Sequence, residues 1–213
     1  MITTPDLIAG LSTNVTAVRR LRPPLVRATW WLLLAALVLV LVAIGHGVRP
    51  NLAERMHDMT YLTELAGSLL TGALAAIAAF HLSLPDRSRW WLVAPALPFV
   101  AWLSTVGHQC LTNWVAIGPD GMRLGETAEC LATLGLTSLP LSLGLVVMLR
   151  YAAPLRPSNV ILLGSLAVAG ITSTALTLFH PLDASALILM FNLGPVFVLG
   201  GVALVVDRVT GRA

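Results

Sequence analysis

The stretch Trp30–Val48, WWLLLAALVLVLVAIGHGV, decides the fold, because it runs for nineteen residues without a charged side chain. About 20 predominantly apolar residues are needed for a helix to cross the hydrocarbon core of a bilayer. A helix at the surface of a soluble domain would show a polar face every turn, and this one has none. Working outward, five further apolar runs follow, at Leu62–Leu84, Trp91–His108, Ala128–Leu149, Val160–Phe179 and Ala186–Val206. Pro95 and Pro98 interrupt the first turns of the third run, and Pro140 predicts a kink in the fourth. Such prolines are tolerated in membrane helices when neighbours satisfy the freed carbonyls.

Composition agrees with this reading. Of 213 residues, 57% are hydrophobic and only 11% charged, whereas a soluble domain carries roughly a quarter charged residues. So few charges cannot cover a wetted surface, so most of the surface faces lipid. The formal charge of +3 does not point to nucleic acid, since the arginines lie in short segments flanking the apolar runs. A cleavable leader is not expected, because the first long apolar run starts only after more than two dozen residues.

The connecting segments set the orientation. Arg19, Arg20, Arg22, Arg27, Arg87, Arg89, Arg150, Arg156, Arg208 and Arg212 fall on one side, with Asp6, Asp86 and Asp207. Arg49, Arg55 and Arg123 fall on the other, with Glu54, Asp58, Glu64, Asp120, Glu126, Glu129 and Asp183. Ten arginines against three places both termini in the cytoplasm of a bacterial inner membrane, which requires an even number of spans. The expected fold is an all-α membrane protein. It is a six-transmembrane-helix bundle over residues 29–207, preceded by a cytoplasmic segment 1–28 and followed by a tail 208–213.

The N-terminal segment reads as an amphipathic helix from Thr4 to Arg22. Thr4 can cap it, Pro5 suits the first position and Asp6 complements the positive end of the dipole. Leu7, Leu11, Val15 and Val18 form one apolar stripe, widened by Ile8 and Leu21. Pro23-Pro24 stops the helix after the cluster Arg19, Arg20 and Arg22. Gly10, Thr13, Asn14 and Thr16 are mediocre helix formers, so the helix is completed by burying its stripe. Periodicity leaves two receivers open, the membrane surface or a protein groove.

Several pieces in order make the chain resemble the NrsF-type (DUF1109) membrane anti-sigma factors. They are Arg-Arg-Leu-Arg-Pro-Pro (Arg19–Pro24) after a short helix and Cys130 ahead of Leu-Thr-Ser-Leu-Pro-Leu (Leu136–Leu141). Ala-Pro-Leu-Arg-Pro (Ala153–Pro157) and His-Pro-Leu-Asp (His180–Asp183) before the last run complete the set. The resemblance implies a regulator that is not an enzyme and carries no cofactor. It would sequester an extracytoplasmic-function (ECF) sigma factor at the membrane and release it on envelope, redox or metal stress. Carried onto this chain, the sigma-contacting residues are the stripe Leu7, Ile8, Leu11, Val15 and Val18, with Arg19, Arg20 and Arg22 positioning it. The chain departs from the family pattern at His180, where members often carry a second cysteine, and has Cys110 instead.

Cys110 and Cys130 flank the longest outer connection, so both are expected at the periplasmic face. A disulfide or idle thiols, a thiol switch, and a soft-metal site completed by His108, His180 or His46 all remain open. Modification of the pair would move the third and fourth spans and shift the region Asp86–Arg89. His81 lies at the opposite end and reads as a packed or interfacial histidine. Two rival functions fit less well. A coupled transporter needs mid-membrane ionisable groups or a repeat, and a thiol oxidoreductase needs a reactive CxxC-like pair. The small residues Ala66, Gly67, Ser68, Gly72, Ala75, Ala76, Ala78 and Ala79 predict a close-packed second helix, and Gly194, Gly200 and Gly201 do likewise for the last.

Overall fold

The computed structural model describes residues 3–13, 21–114, 124–150, 157–179 and 194–209. Among these residues every regular element is helical. The helices are α1 (Thr4–Thr13), α2 (Pro24–His46), α3 (Leu52–Arg55), α4 (Met59–Leu82), α5 (Ala96–Trp114), α6 (Leu124–Leu149), α7 (Pro157–Phe179) and α8 (Gly194–Val209). A 3-10 turn, Arg89–Val93, precedes α5.

Five stretches are long and apolar enough to cross a membrane: Pro24–Gly45, Met59–Leu82, Arg89–His108, Ala132–Leu149 and Pro157–Phe179. The sixth expected span, Ala186–Val206, starts outside the described residues; α8, 16 residues long, covers its positions from Gly194 on and is not among these five. α2 is buried along one face only. Trp31, Ala35, Val38 and Val42 are buried at spacings of four, three and four, yet Leu33, Leu37, Val40, Leu41 and Ile44 on the other faces are exposed. A helix apolar on every side, with one side uncovered, suits a hydrocarbon environment.

Prolines and glycines set the ends. α2 begins at Pro24, six residues before the apolar run, because proline pre-sets the backbone for the first helical turn. It ends at Gly47, whose φ of 78° suits a residue without Cβ. Pro95 and Pro98 divide the third span into the 3-10 turn and α5. Pro98 falls in the first turn of α5, where its missing N–H costs no helical bond. Pro140 lies inside α6.

The N-terminal helix starts differently from expectation. Thr3, rather than Thr4, is the cap: its carbonyl accepts from Leu7 N at 3.0 Å. Its backbone N–H and hydroxyl both donate to Asp6 Oδ2, at 3.2 and 2.5 Å. The bond from the Thr3 N–H to Asp6 is one half of a capping box with Asp6 in the third position. The expected helix to Arg22 also ends sooner, since Leu21, Arg22 and Pro23 are not helical. A residue followed by proline is driven from the α region, and here both Arg22 and Pro23 are.

α7 is the centre of the bundle, with sixteen of its residues buried. Its closest neighbour is α4, antiparallel to it. The expected small-residue packing is present. A Cβ added to Gly170 would lie 2.7 Å from both Gly72 N and Ser68 O, so the two backbones nearly touch. Ala75, Ala76, Ala78 and Ala79 are buried completely, whereas Ala66 is exposed. On the other flank of α4, Gly67 admits Trp102 of α5, whose Cβ lies 3.0 Å from the methyl position. Gly200 of α8 admits the side chain of Leu162 on α7, while Gly201 faces open space.

Candidate functional site

The α4–α7 seam leads to one end of the bundle. Along it, Ser68 Oγ and Thr174 Oγ1 share a hydrogen bond of 3.0 Å. Next, Thr177 Oγ1 donates to Glu64 Oε1 at 3.3 Å and Tyr61 OH donates to the Thr177 carbonyl at 3.0 Å. Arg49 N closes the seam by donating to the Leu178 carbonyl at 3.2 Å. Glu64, expected at a span edge, is 6% exposed and built into this packing. Of the hydroxyl run on α7, Thr174 and Thr177 bond back to the Gly170 and Ser173 carbonyls. The Thr172 and Ser173 hydroxyls are buried with no partner.

Of the residues proposed for sensing, His108 lies beside the start of α4, with Met59, Thr60 and Thr63. Cys110 is in α5 and Cys130 in α6, while His180 lies outside the described residues. His108 is exposed and lines an open cavity of about 310 Å³ with Met59, Thr60, Thr63, Ser104 and Thr105. Three of those hydroxyls are bonded to carbonyls of their own helices: Thr63 to Met59, Ser104 to Ala101 and Thr105 to Trp102. No group of three or more His, Cys, Asp or Glu side chains able to hold a metal ion occurs among the described residues.

The opposite end holds the base of the N-terminal segment. Arg27, in the second turn of α2, is only 6% exposed. Its Nη1 donates to Ser83 Oγ at 3.4 Å, its Nη2 donates to the Met148 carbonyl, and its guanidinium lies over the Phe80 ring at 5.1 Å. Ser83 caps α4 and Met148 lies in the last turn of α6. The cation therefore meets two helix C-termini, where unpaired carbonyls gather partial negative charge. One turn further, Trp31 Nε1 donates to the Leu141 carbonyl of α6 at 3.0 Å. Beside this knot His81 stacks on Trp91, centroids 4.1 Å apart and planes 10° from parallel. It is packed, as expected, but neither ring nitrogen has a hydrogen-bond partner.

In the sequence alone Arg27 is one positive charge among the flanking arginines. Its signal was spacing: it precedes Trp31 by four residues and shares a face with Trp31 and Ala35.

Leu7 is 54% and Ile8 61% exposed, and every α1 side chain whose exposure is described is exposed. Leu11 lies in the same helix, and Arg22 is exposed in the extended segment before Pro23. Val15, Val18, Arg19 and Arg20 lie outside the described residues. Asp6 sits at the start of α1, and the hydroxyl and backbone N–H of Thr3 hold its carboxyl below the ordinary carboxylate range.

A family model described as "NrsF: Negative regulator of sigma F" matches residues 11–212. No curated protein and no solved structure matches the chain.

Proposed function

The chain belongs to the NrsF family, negative regulators of sigma F, and from that premise we propose that it is an anti-sigma factor acting by capture at a membrane. In this reading residues 1–28 are the cytoplasmic capture segment, 29–207 a six-span anchor and 208–213 a cytoplasmic tail. The partner is a sigma factor of the ECF class, held on the stripe Leu7, Ile8, Leu11, Val15 and Val18 and oriented by Arg19, Arg20 and Arg22. The protein works by holding a partner, with no catalysis and no direct contact to nucleic acid.

The observation that carries this reading is the exposure of Leu7 and Ile8 on a capped helix. Two large apolar side chains on one helix face favour burial against a partner, each gaining about 1.5–3 kcal/mol when fully covered. A groove on a sigma factor supplies that cover. The arginine asymmetry supports a cytoplasmic position for the segment, where such a partner resides.

Release is assigned to the other end, where α5 carries Cys110 and α6 carries Cys130. Oxidation, alkylation or soft-metal binding there would change how these helices stand in the bundle. Replacing both cysteines by serine tests this part, and full induction by stress in that variant removes the thiols from the mechanism.

The capture step is tested by deleting residues 2–20 from the membrane protein and following sigma-dependent transcription. Unstressed transcription rises when the segment is missing. Unchanged repression by the truncated protein, at equal membrane abundance, refutes capture by this segment.

A further inference from the structure

Leu21–Pro23 join the capture segment to the bundle, and the chain there is stiff. Pro23 has φ −50° and ψ 143°, the polyproline conformation. Arg22, followed by proline, is restricted to extended backbone by the same ring clash. Pro24 then opens α2 directly. A proline pair running into a helix transmits orientation, where a Gly/Ser tether would lose it.

The helix that receives this arm is fastened at its first turns. Arg27 reaches Ser83 and Phe80 on the last turn of α4 and the Met148 carbonyl on α6. Trp31 reaches the Leu141 carbonyl on α6, so α2 is bonded to α6 at two levels. Arginine suits this position because one planar cation can serve two acceptors through its edges and an aromatic ring through its face. Lysine carries the charge as a point and lacks the fork.

We infer that Arg27 is a positioning residue that sets the direction in which the capture segment leaves the bundle according to where the ends of α4 and α6 stand. A shift of α6 along its axis by one residue, about 1.5 Å, either breaks the Met148 contact or drags the first turn of α2 with it. The polyproline arm carries that movement to Arg22. A signal acting anywhere on α6 is then read at the capture segment without α6 touching the partner. This path runs through Arg27. The inference takes its purpose from the sigma-capture reading, but the joint can be measured with no sigma factor present.

The experiment uses full-length protein in lipid nanodiscs with Cys110 and Cys130 replaced by serine. Nitroxide labels are placed at Arg22→Cys and Arg87→Cys, two exposed positions, and their distance distribution is read by pulsed EPR. A control pair at Arg87→Cys and Ile161→Cys reports the bundle. With Arg27 present the first pair gives a narrow distribution. Arg27→Ala broadens it at least twofold and leaves the control pair unchanged, while Arg27→Lys gives an intermediate width. If Arg27→Ala fails to fold, Ser83→Ala is read in its place and broadens the first pair to a smaller degree. In cells Arg27→Ala raises unstressed sigma-dependent transcription about fivefold at equal membrane abundance, the low end of ordinary coupling. A first-pair distribution that is already broad with Arg27 present, or that no variant widens, overturns the joint. The capture reading fails separately, when deletion of residues 2–20 leaves repression intact.

Discussion

Gly170 and Gly72 face each other across the α4–α7 seam so closely that a methyl group on Gly170 would lie 2.7 Å from the Gly72 nitrogen. The same methyl would be 2.7 Å from the Ser68 carbonyl oxygen. Backbone cannot rotate out of the way as a flexible side chain can, so the helices must separate to admit it. Overpacking of this kind typically costs about 1–3 kcal/mol. Gly170→Ala is therefore expected to lower the thermal unfolding midpoint in detergent. Gly201→Ala, where nothing lies within 4 Å, leaves it unchanged or raises it, since alanine is the better helix former. Equal midpoints for the two variants would show that the helices do not approach this closely.

His81 gives a prediction of the opposite sign. Its imidazole is buried against Trp91 with both nitrogens unbonded. A buried polar group without a partner costs about 1–3 kcal/mol, and an apolar replacement of similar shape removes that cost. His81→Phe keeps the stack on Trp91 and is expected to be neutral or to stabilise by about 1 kcal/mol. A marked loss of stability in this variant would mean that the ring nitrogens are bonded in the membrane.

The α1 cap is sensitive to acid. Thr3 donates twice to the Asp6 carboxylate and holds it below its ordinary range. A depressed value in the folded helix means stability that is present in full above the ordinary carboxylate pKa. It is lost as pH falls through the depressed value. Amide shifts of residues 4–8 should therefore move toward unfolded values on acidification below the ordinary carboxylate range. Asp6→Asn should abolish that dependence. A transition that persists in Asp6→Asn would assign it to another group.

How much of this was readable from residues alone follows their chemistry. Nineteen uncharged residues at Trp30–Val48 admit one environment, and Pro95 falls at the break before α5. The small stripe on α4 was legible because Gly67, Ser68 and Gly72 have no purpose in a lipid-facing helix. Arg27 was not legible, since a flanking arginine and a buried one look alike until the ends of α4 and α6 are brought beside it. The bond of Glu64 is hidden for the same reason: its partner Thr177 is 113 residues away in sequence. The α1 stripe was visible as a period, but a period does not name what covers it. Family membership names a sigma factor as the kind of partner, and Leu7 and Ile8 are exposed on α1.

The most direct test puts a photo-crosslinking residue at Leu7 in the full-length protein and irradiates living, unstressed cells. The account predicts a membrane-bound adduct containing a sigma factor, lost when the label is moved to the lipid-facing position Leu37. Adducts formed only with lipid, or with another part of this same chain, would contradict it.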